Sequence, residues 1–228
     1  MVRPRVWHLI LLFPVLLLHA CNRYGWSSTD TDKKKLASDS IFIRFKEQPI
    51  LYADWQRIYK HKDNAFSLDS FSYISQYSND FIYTLAKLQK DYFKKYERFF
   101  VYRIDSEKFI DPFSNALVIH ADKRGKLRYI RKEEEQEVAM IDVKTKKRYR
   151  IFFCGSPCFI SHASWITDDK IALMGITTED ENDSYIPTIW LIDMKKNTTA
   201  EYSYSDPIPG ITPSMLLDSI LTAKGVTR

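Results

Sequence analysis

The 228-residue chain contains only 6 Gly, too few for a loop-dominated or low-complexity protein. It lacks a strong charge of either sign. Arg3 and Arg5 account for part of the formal +5, and the chain from residue 21 onward, with 32 basic and 29 acidic residues, is near +3. That balance does not mark a nucleic-acid binder, and no nucleic-acid partner is expected. No apolar run reaches the roughly 20 residues that cross a bilayer as a helix. The longest, Val6–Leu18, is interrupted by His8 and Pro14. No Gly-x-Ser-x-Gly, phosphate loop or His-Glu-x-x-His occurs. An enzyme is not excluded by that, but no catalytic residue and no cofactor can be nominated.

Hydrophobic residues make up 45% of the chain and charged residues 28%, a composition that folds. The N-terminus reads as an export signal. Arg3 and Arg5 form a positive n-region, Val6–Leu18 has the length of a signal h-region, and Leu18-His19-Ala20-Cys21 follows. Those four residues resemble the lipobox of bacterial lipoproteins in Leu18, Ala20 and Cys21, while His19 stands where a small residue is usual. The resemblance covers about a tenth of the chain. It implies cleavage after residue 20 and acyl chains, such as palmitate, carried by Cys21. Each buried CH₂ contributes about 0.8 kcal/mol, and two or more chains hold a protein stably on a membrane. The expected location is therefore the bacterial cell envelope, with the membrane reached through the lipid on Cys21. Asn22 follows where an Asp would resemble an inner-membrane retention signal, so the outer membrane is favoured.

Residues 21–39 are polar apart from Tyr24, Trp26 and Leu36, and read as a flexible tether. The spacing then predicts a single α+β domain over 40–228: a helical part to 98, a β-rich part over 99–205 and a C-terminal helix at 213–224. Ile41–Phe45 reads as a short strand, and Leu51–Tyr59 as a helix. The clearest helical periodicity spans Asp80–Arg98, with Phe81, Ile82, Leu85, Leu88, Tyr92, Phe93 and Tyr96 on one face and Ser78 or Asn79 as its cap. Beyond Phe99 the pattern turns to strands: Phe99–Ile104, Ala116–His120, Leu127–Arg131, Val138–Val143, Arg148–Phe153, Lys170–Ile176, Thr188–Met194 and Ala200–Tyr204. Thr212 caps the last helix, Pro213 sits at its first turn, and Gly225 follows it.

Two strand pairs repeat. Ile141-Asp142-Val143-Lys144 leads through a polar turn to Arg148–Ile151, and 51 positions later Ile192-Asp193-Met194-Lys195 leads to Glu201–Tyr204. Between them, Ala163–Leu173 reads as two strands about an Asp168-Asp169 turn. With Trp190–Asp193, this stretch over roughly 160–205 resembles a β-propeller blade of the WD40-like or TolB-like kind. Propellers close with about four to eight blades, and this chain has room for two. The expectation is an open blade-like antiparallel meander, covered by the helices near 80–98 and 213–224, and not a closed propeller.

Cys154-Gly155-Ser156-Pro157-Cys158 has His162 four residues on. An extended strand separates such cysteines by about 13 Å, beyond disulfide reach, but Gly-Ser-Pro favours a reversal. A structural disulfide is the preferred reading in an oxidising envelope; reduced core cysteines are second, and zinc on Cys154, Cys158 and His162 is third. His61 and His120 stand alone. Glu133–Glu135 and Glu179–Asp183 read as solvated acidic loops, since the second lacks the spacing of a calcium loop. Among the aromatics, 14% of the chain, Trp165, Tyr185 and Trp190 are the candidates for ligand contact. The function expected is a lipid-anchored, non-catalytic module that binds an unknown protein partner. A glycan-binding surface lipoprotein and an enzyme without recognisable motif are the alternatives.

Overall fold

The computed structural model describes residues 40–86, 90–132, 135–156, 158–178 and 184–228. The signal, Cys21 and the tether lie outside the described residues. Sheet A orders five strands as β1 (Phe71–Ser78), β12 (Thr198–Tyr204), β11 (Ile186–Asp193), β10 (Lys170–Thr177) and β9 (Cys158–Thr167). Sheet B orders β2 (Tyr83–Leu85), β8 (Lys147–Cys154), β7 (Gln136–Asp142), β4 (Lys108–Asp111) and β3 (Val101–Tyr102). The hairpin β5 (Leu117–Ala121) and β6 (Leu127–Arg131) is inserted between β4 and β7. All these ladders are antiparallel, and neither sheet closes on itself.

The alternation of side chains puts sheet A in the middle of the molecule. Ile171, Leu173, Trp190 and Ile192 point to one face and pack against Ile110, Val138, Met140 and Ile151 of sheet B. Ala172, Met174, Ile189 and Leu191 point to the other, into the largest core. That is why β10 and β11 read as near-continuous apolar runs. The large core is closed by α1 (Ser40–Lys46), α2 (Ala53–Lys60), α4 (Pro213–Ala223) and the β5–β6 hairpin. On the outer face of sheet B, Phe109, Ala139 and Ile141 are covered by Tyr92, Phe93 and Tyr96 of α3 (Lys90–Tyr96). The fold is thus mixed α+β, with two stacked, open, blade-like meanders and helices on both outer faces.

The 51-residue repeat marks equivalent third strands and their turns. Asp142 Oδ1 accepts from the Thr145 amide, and Asp193 Oδ1 from the Lys195 and Lys196 amides. Lys146 and Asn197 both have φ near +55°, at 55° and 54°. The likeness extends to the fifth strands. After β1 the Asn79 amide donates to Asn197 O, and after β2 the Ala86 amide donates to Lys146 O, both at 2.8 Å. One N-terminal stretch therefore supplies the outermost strand of both sheets.

Two expected elements are corrected. Ile41–Phe45 is part of helix α1, not a strand: Ile41 and Phe45, one turn apart, are both buried, whereas Ile43 is 44% exposed. A strand would have put all three on one face. The helix expected over Asp80–Arg98 is β2, α3 and a 3₁₀ turn at Glu97–Phe99, with 87–89 outside the described residues. Ile82 and Leu85, assigned to its apolar face, are 56% and 75% exposed, because backbone pairing with β8 sets this segment. Asn79 caps no helix; its side chain donates to Thr199 Oγ1. The C-terminal helix stands as read: Thr212 Oγ1 accepts from the Met215 amide, Pro213 opens α4, and Gly225 has φ +73°.

Candidate functional site

A cleft of about 590 Å³ lies where α2, the Phe99–Val101 segment, β9 and α4 meet. Its walls are largely apolar, with Ile58, Phe99, Phe113, Met215 and Ile220 among them. The charged groups at the cleft are Asp54, Arg57, Lys62 and Lys224. Asp54 is neutralised by Arg57 at 2.9 Å, one turn along α2. Lys62 and Lys224, exposed in the turns after α2 and α4, have no carboxylate partner among the described residues; Lys62 Nζ lies beside Gly210, and the Lys224 charge acts on His162.

The floor is a β-bulge. Met174 is opposite His162 and Gly175 is opposite Ile160, which leaves Ser161 as the extra residue of β9. Close approach of the strands requires Gly175, since a Cβ there would lie 2.0 Å from Phe159 O. Ile160 is held from the other sheet by the buried Gln136 side chain. Its amide nitrogen donates to Ile160 O at 2.9 Å and Pro112 O at 2.8 Å, while its oxygen accepts from the Ile160 amide at 2.8 Å. Gln136 thus imitates a strand edge and fixes β9 where the cleft needs it.

His162 and Ser161 both line the cleft. Ser161 Oγ donates to Met174 O at 3.1 Å, so its contact with His162 Nδ1, also 3.1 Å, uses an oxygen lone pair. Nδ1 therefore carries the proton. Burial holds His162 down to about 4, opposed by the Asp54 carboxylate and reinforced by the Lys224 charge, so the ring is neutral near pH 7. Nε2 is then a bare acceptor with no protein partner among the described residues.

Cys154 and Cys158 are joined by a disulfide with Cα atoms 5.4 Å apart, across the step from sheet B to sheet A. As a disulfide they have no thiolates to offer zinc, and His162 turns to the cleft instead. No group of three or more potential metal ligands occurs among the described residues. Trp190 is 3% exposed and packs on Phe152 between the sheets. Trp165 joins that core and donates Nε1 to Val101 O at 2.9 Å. Tyr185 packs against the large core on the other face of sheet A, so the three are not brought together. His61 caps α2 at the cleft, and His120 is exposed on β5. Glu133, Glu134 and Glu179–Asp183 lie outside the described residues. Sequence reasoning singled out His162 only as a zinc candidate and missed Lys62 and Lys224, whose signal is their lack of acidic partners in space rather than any local pattern. The described helices include none long and apolar enough to cross a membrane. No protein-family model, no curated protein and no solved structure matches the chain, so the site is read from its own geometry.

Proposed function

We propose that the protein is a lipid-anchored component of the bacterial cell envelope that binds another protein and performs no chemistry of its own. The observation that carries the binding role is the cleft: largely apolar walls built mainly on α2, β9 and α4. Rigid elements hold such a surface ready at little ordering cost. The Ser161–His162 pair supports binding over catalysis. A nucleophilic serine gives its proton to the histidine, whereas the Ser161 proton is committed to Met174 O. The burial of Trp190 and the separation of Tyr185 from Trp165 favour a protein partner over a glycan laid on an aromatic row.

The anchor is carried by Leu18-His19-Ala20-Cys21 behind an apolar run. Metabolic labelling with a fatty acid should mark the wild type and not Cys21→Ala; equal label on both rejects the anchor. For the binding role, a photo-crosslinking residue at Ser219, on the cleft wall, should capture a polypeptide in native membranes. Crosslinks to lipid alone, or none, reject the proposed partner class.

A further inference from the structure

The hairpin turns that end the two repeated strand pairs lie at the same end of the molecule. Met194 and Asn197 of the β11–β12 turn line one groove with Lys108, Met140 and Tyr149, which brings that turn against the β7–β8 end of sheet B. β2 runs to the same end, since Leu85 is opposite Lys147 and the Ala86 amide donates to Lys146 O at 2.8 Å. Two kinds of side chain collect there. Tyr83 and Leu85, on the edge strand, and Val143, in the β7–β8 turn, are exposed apolar groups. Lys144, Lys146, Lys147 and Lys195 have no carboxylate within ion-pair distance among the described residues. Lys147 Nζ lies instead 4.4 Å from the centre of the Tyr83 ring, so charge and apolar surface are intermixed. The acids at this end are committed elsewhere. Asp142 Oδ1 accepts from the Thr145 amide, the buried Asp193 pairs with Lys170 at 3.2 Å, and Asp105 and Glu107 pair with Arg103, which Asp168 also faces.

We propose that this end of the molecule rests on an anionic membrane surface, with Leu85 and Val143 among the lipid headgroups and Lys144, Lys146, Lys147 and Lys195 on the lipid phosphates. A nucleic acid would pair the lysines and leave Leu85 and Val143 in water. An apolar protein pocket would take those two side chains and leave the lysines unpaired. An anionic bilayer supplies both, with phosphates at its surface and acyl chains just beneath. The inference rests on the reading of the protein as lipid-anchored and names the face it turns to the membrane. The chain length before α1 suits that orientation. Phe42 of α1 stacks on Tyr202 at 4.2 Å, and Tyr202 is five residues from Asn197, about 17 Å along a strand. Residues 22–39, read as a tether, have an r.m.s. reach of about 20–25 Å. A lipid on Cys21 therefore holds this end within reach of the bilayer at high effective concentration.

The test uses the full chain, purified with its fatty-acid label, in vesicles of phosphatidylcholine alone or mixed with phosphatidylglycerol. A photo-crosslinking residue replaces Leu85, or Val143 as a second position, and Glu135, exposed at the opposite end of β7, is the control. Mass spectrometry reads the lipid adduct. In the anionic vesicles the adduct at Leu85 should exceed both the control and the neutral-vesicle value at least about fivefold, the effect of one lysine at such a surface. Raising NaCl to about 1 M should remove that excess. Lys144→Gln with Lys146→Asn and Lys147→Gln should remove it too, and leave the fatty-acid label unchanged. Asn is chosen at 146 because Asn197 holds the same positive φ in the other turn. An adduct at Leu85 and Val143 no greater than at Glu135, in labelled protein, overturns the inference and leaves the anchor standing. So does an excess that survives the lysine substitutions, or an adduct to a second copy of the chain in place of lipid. A lysine-dependent lipid adduct on protein that carries no fatty-acid label supports the face and overturns the anchor. Neither label nor adduct overturns both.

Discussion

His162 titrates in a window that links the cleft to stability. Burial, opposed by Asp54 and reinforced by Lys224, holds it near 4 in the folded protein, and an unfolded chain returns it to about 6.5. Between those values the unfolded state binds a proton that the folded state refuses, so stability rises with pH across the window. The contribution is complete above about pH 6.5 and is lost as pH falls toward 4, by about 3 kcal/mol at most. His162→Gln should remove that component: denaturant midpoints at about pH 7 and about pH 4.5 should differ less in the variant than in the wild type, and equal differences would sink the claim. Gln136 is the second informative residue. Gln136→Leu keeps the volume and strands the Ile160 amide and carbonyl and Pro112 O, all in the interior. Each such group costs about 1–3 kcal/mol, so a loss of about 3 kcal/mol is expected by urea denaturation, and a change under about 0.5 kcal/mol would show that water replaces the amide. Neither role could be read from the sequence, where Gln136 is one polar residue ahead of an apolar run and His162 draws notice only through its spacing from Cys158. Gln136 depends on partners 24 positions away, and the charges that act on His162 come from Asp54 and Lys224.

At the scale of elements, legibility followed burial and turn chemistry. β6, β7, β8, β10, β11 and β12 were readable because alternating or continuous apolar residues end in turns that need particular backbones: Asp142 and Asp193 accept amides, and Lys146 and Asn197 take positive φ. β1 was not readable, since Phe71-Ser-Tyr-Ile-Ser-Gln-Tyr-Ser78 is an edge strand with one fully buried residue. β4 is four residues long and gives no periodicity to detect. α1 and the 80–98 region were misassigned because their apolar residues satisfy two periods at once, and long-range packing chose between them. The cleft was invisible for a related reason: its walls come from five stretches spread between residues 54 and 224. The strap between β8 and β9 was the clearest local feature. Its disulfide closes a loop of only a few residues, for which the chain-entropy account gives about 2 kcal/mol. Adding a reductant should lower wild-type stability by about that amount, and Cys154→Ala with Cys158→Ala should abolish the response. A wild type indifferent to reductant, with both thiols alkylated beforehand, would mean the pair is reduced in the native protein.

At the scale of the whole molecule, the unusual feature is how two open meanders avoid the need for a closed ring. A propeller protects its sheet faces with neighbouring blades. Here each sheet has one neighbour, the other sheet, and its outer face is covered by helices: α1, α2 and α4 on one side, α3 on the other. The last strand of each meander is covered in turn by β1 or β2, so two positions that would be open edges are paired within the chain. Nearly all these covers precede residue 99. Removing residues 40–98 would unpair β12 and β8, uncover Phe109 and Ile141, and leave the large core without Phe45, Trp55, Tyr59, Phe66 and Phe71. Five large apolar side chains at about 2 kcal/mol each amount to about 10 kcal/mol, as large as the whole margin of about 5–15 kcal/mol by which a domain is stable. The 40–228 protein should therefore melt in a single cooperative transition, and the 99–228 piece should aggregate or lack a transition in calorimetry. A soluble 99–228 piece melting cooperatively at the temperature of the longer protein would show that the β-rich part closes its own surfaces, and that the strands and helices before residue 99 are an attachment to it rather than half of its core.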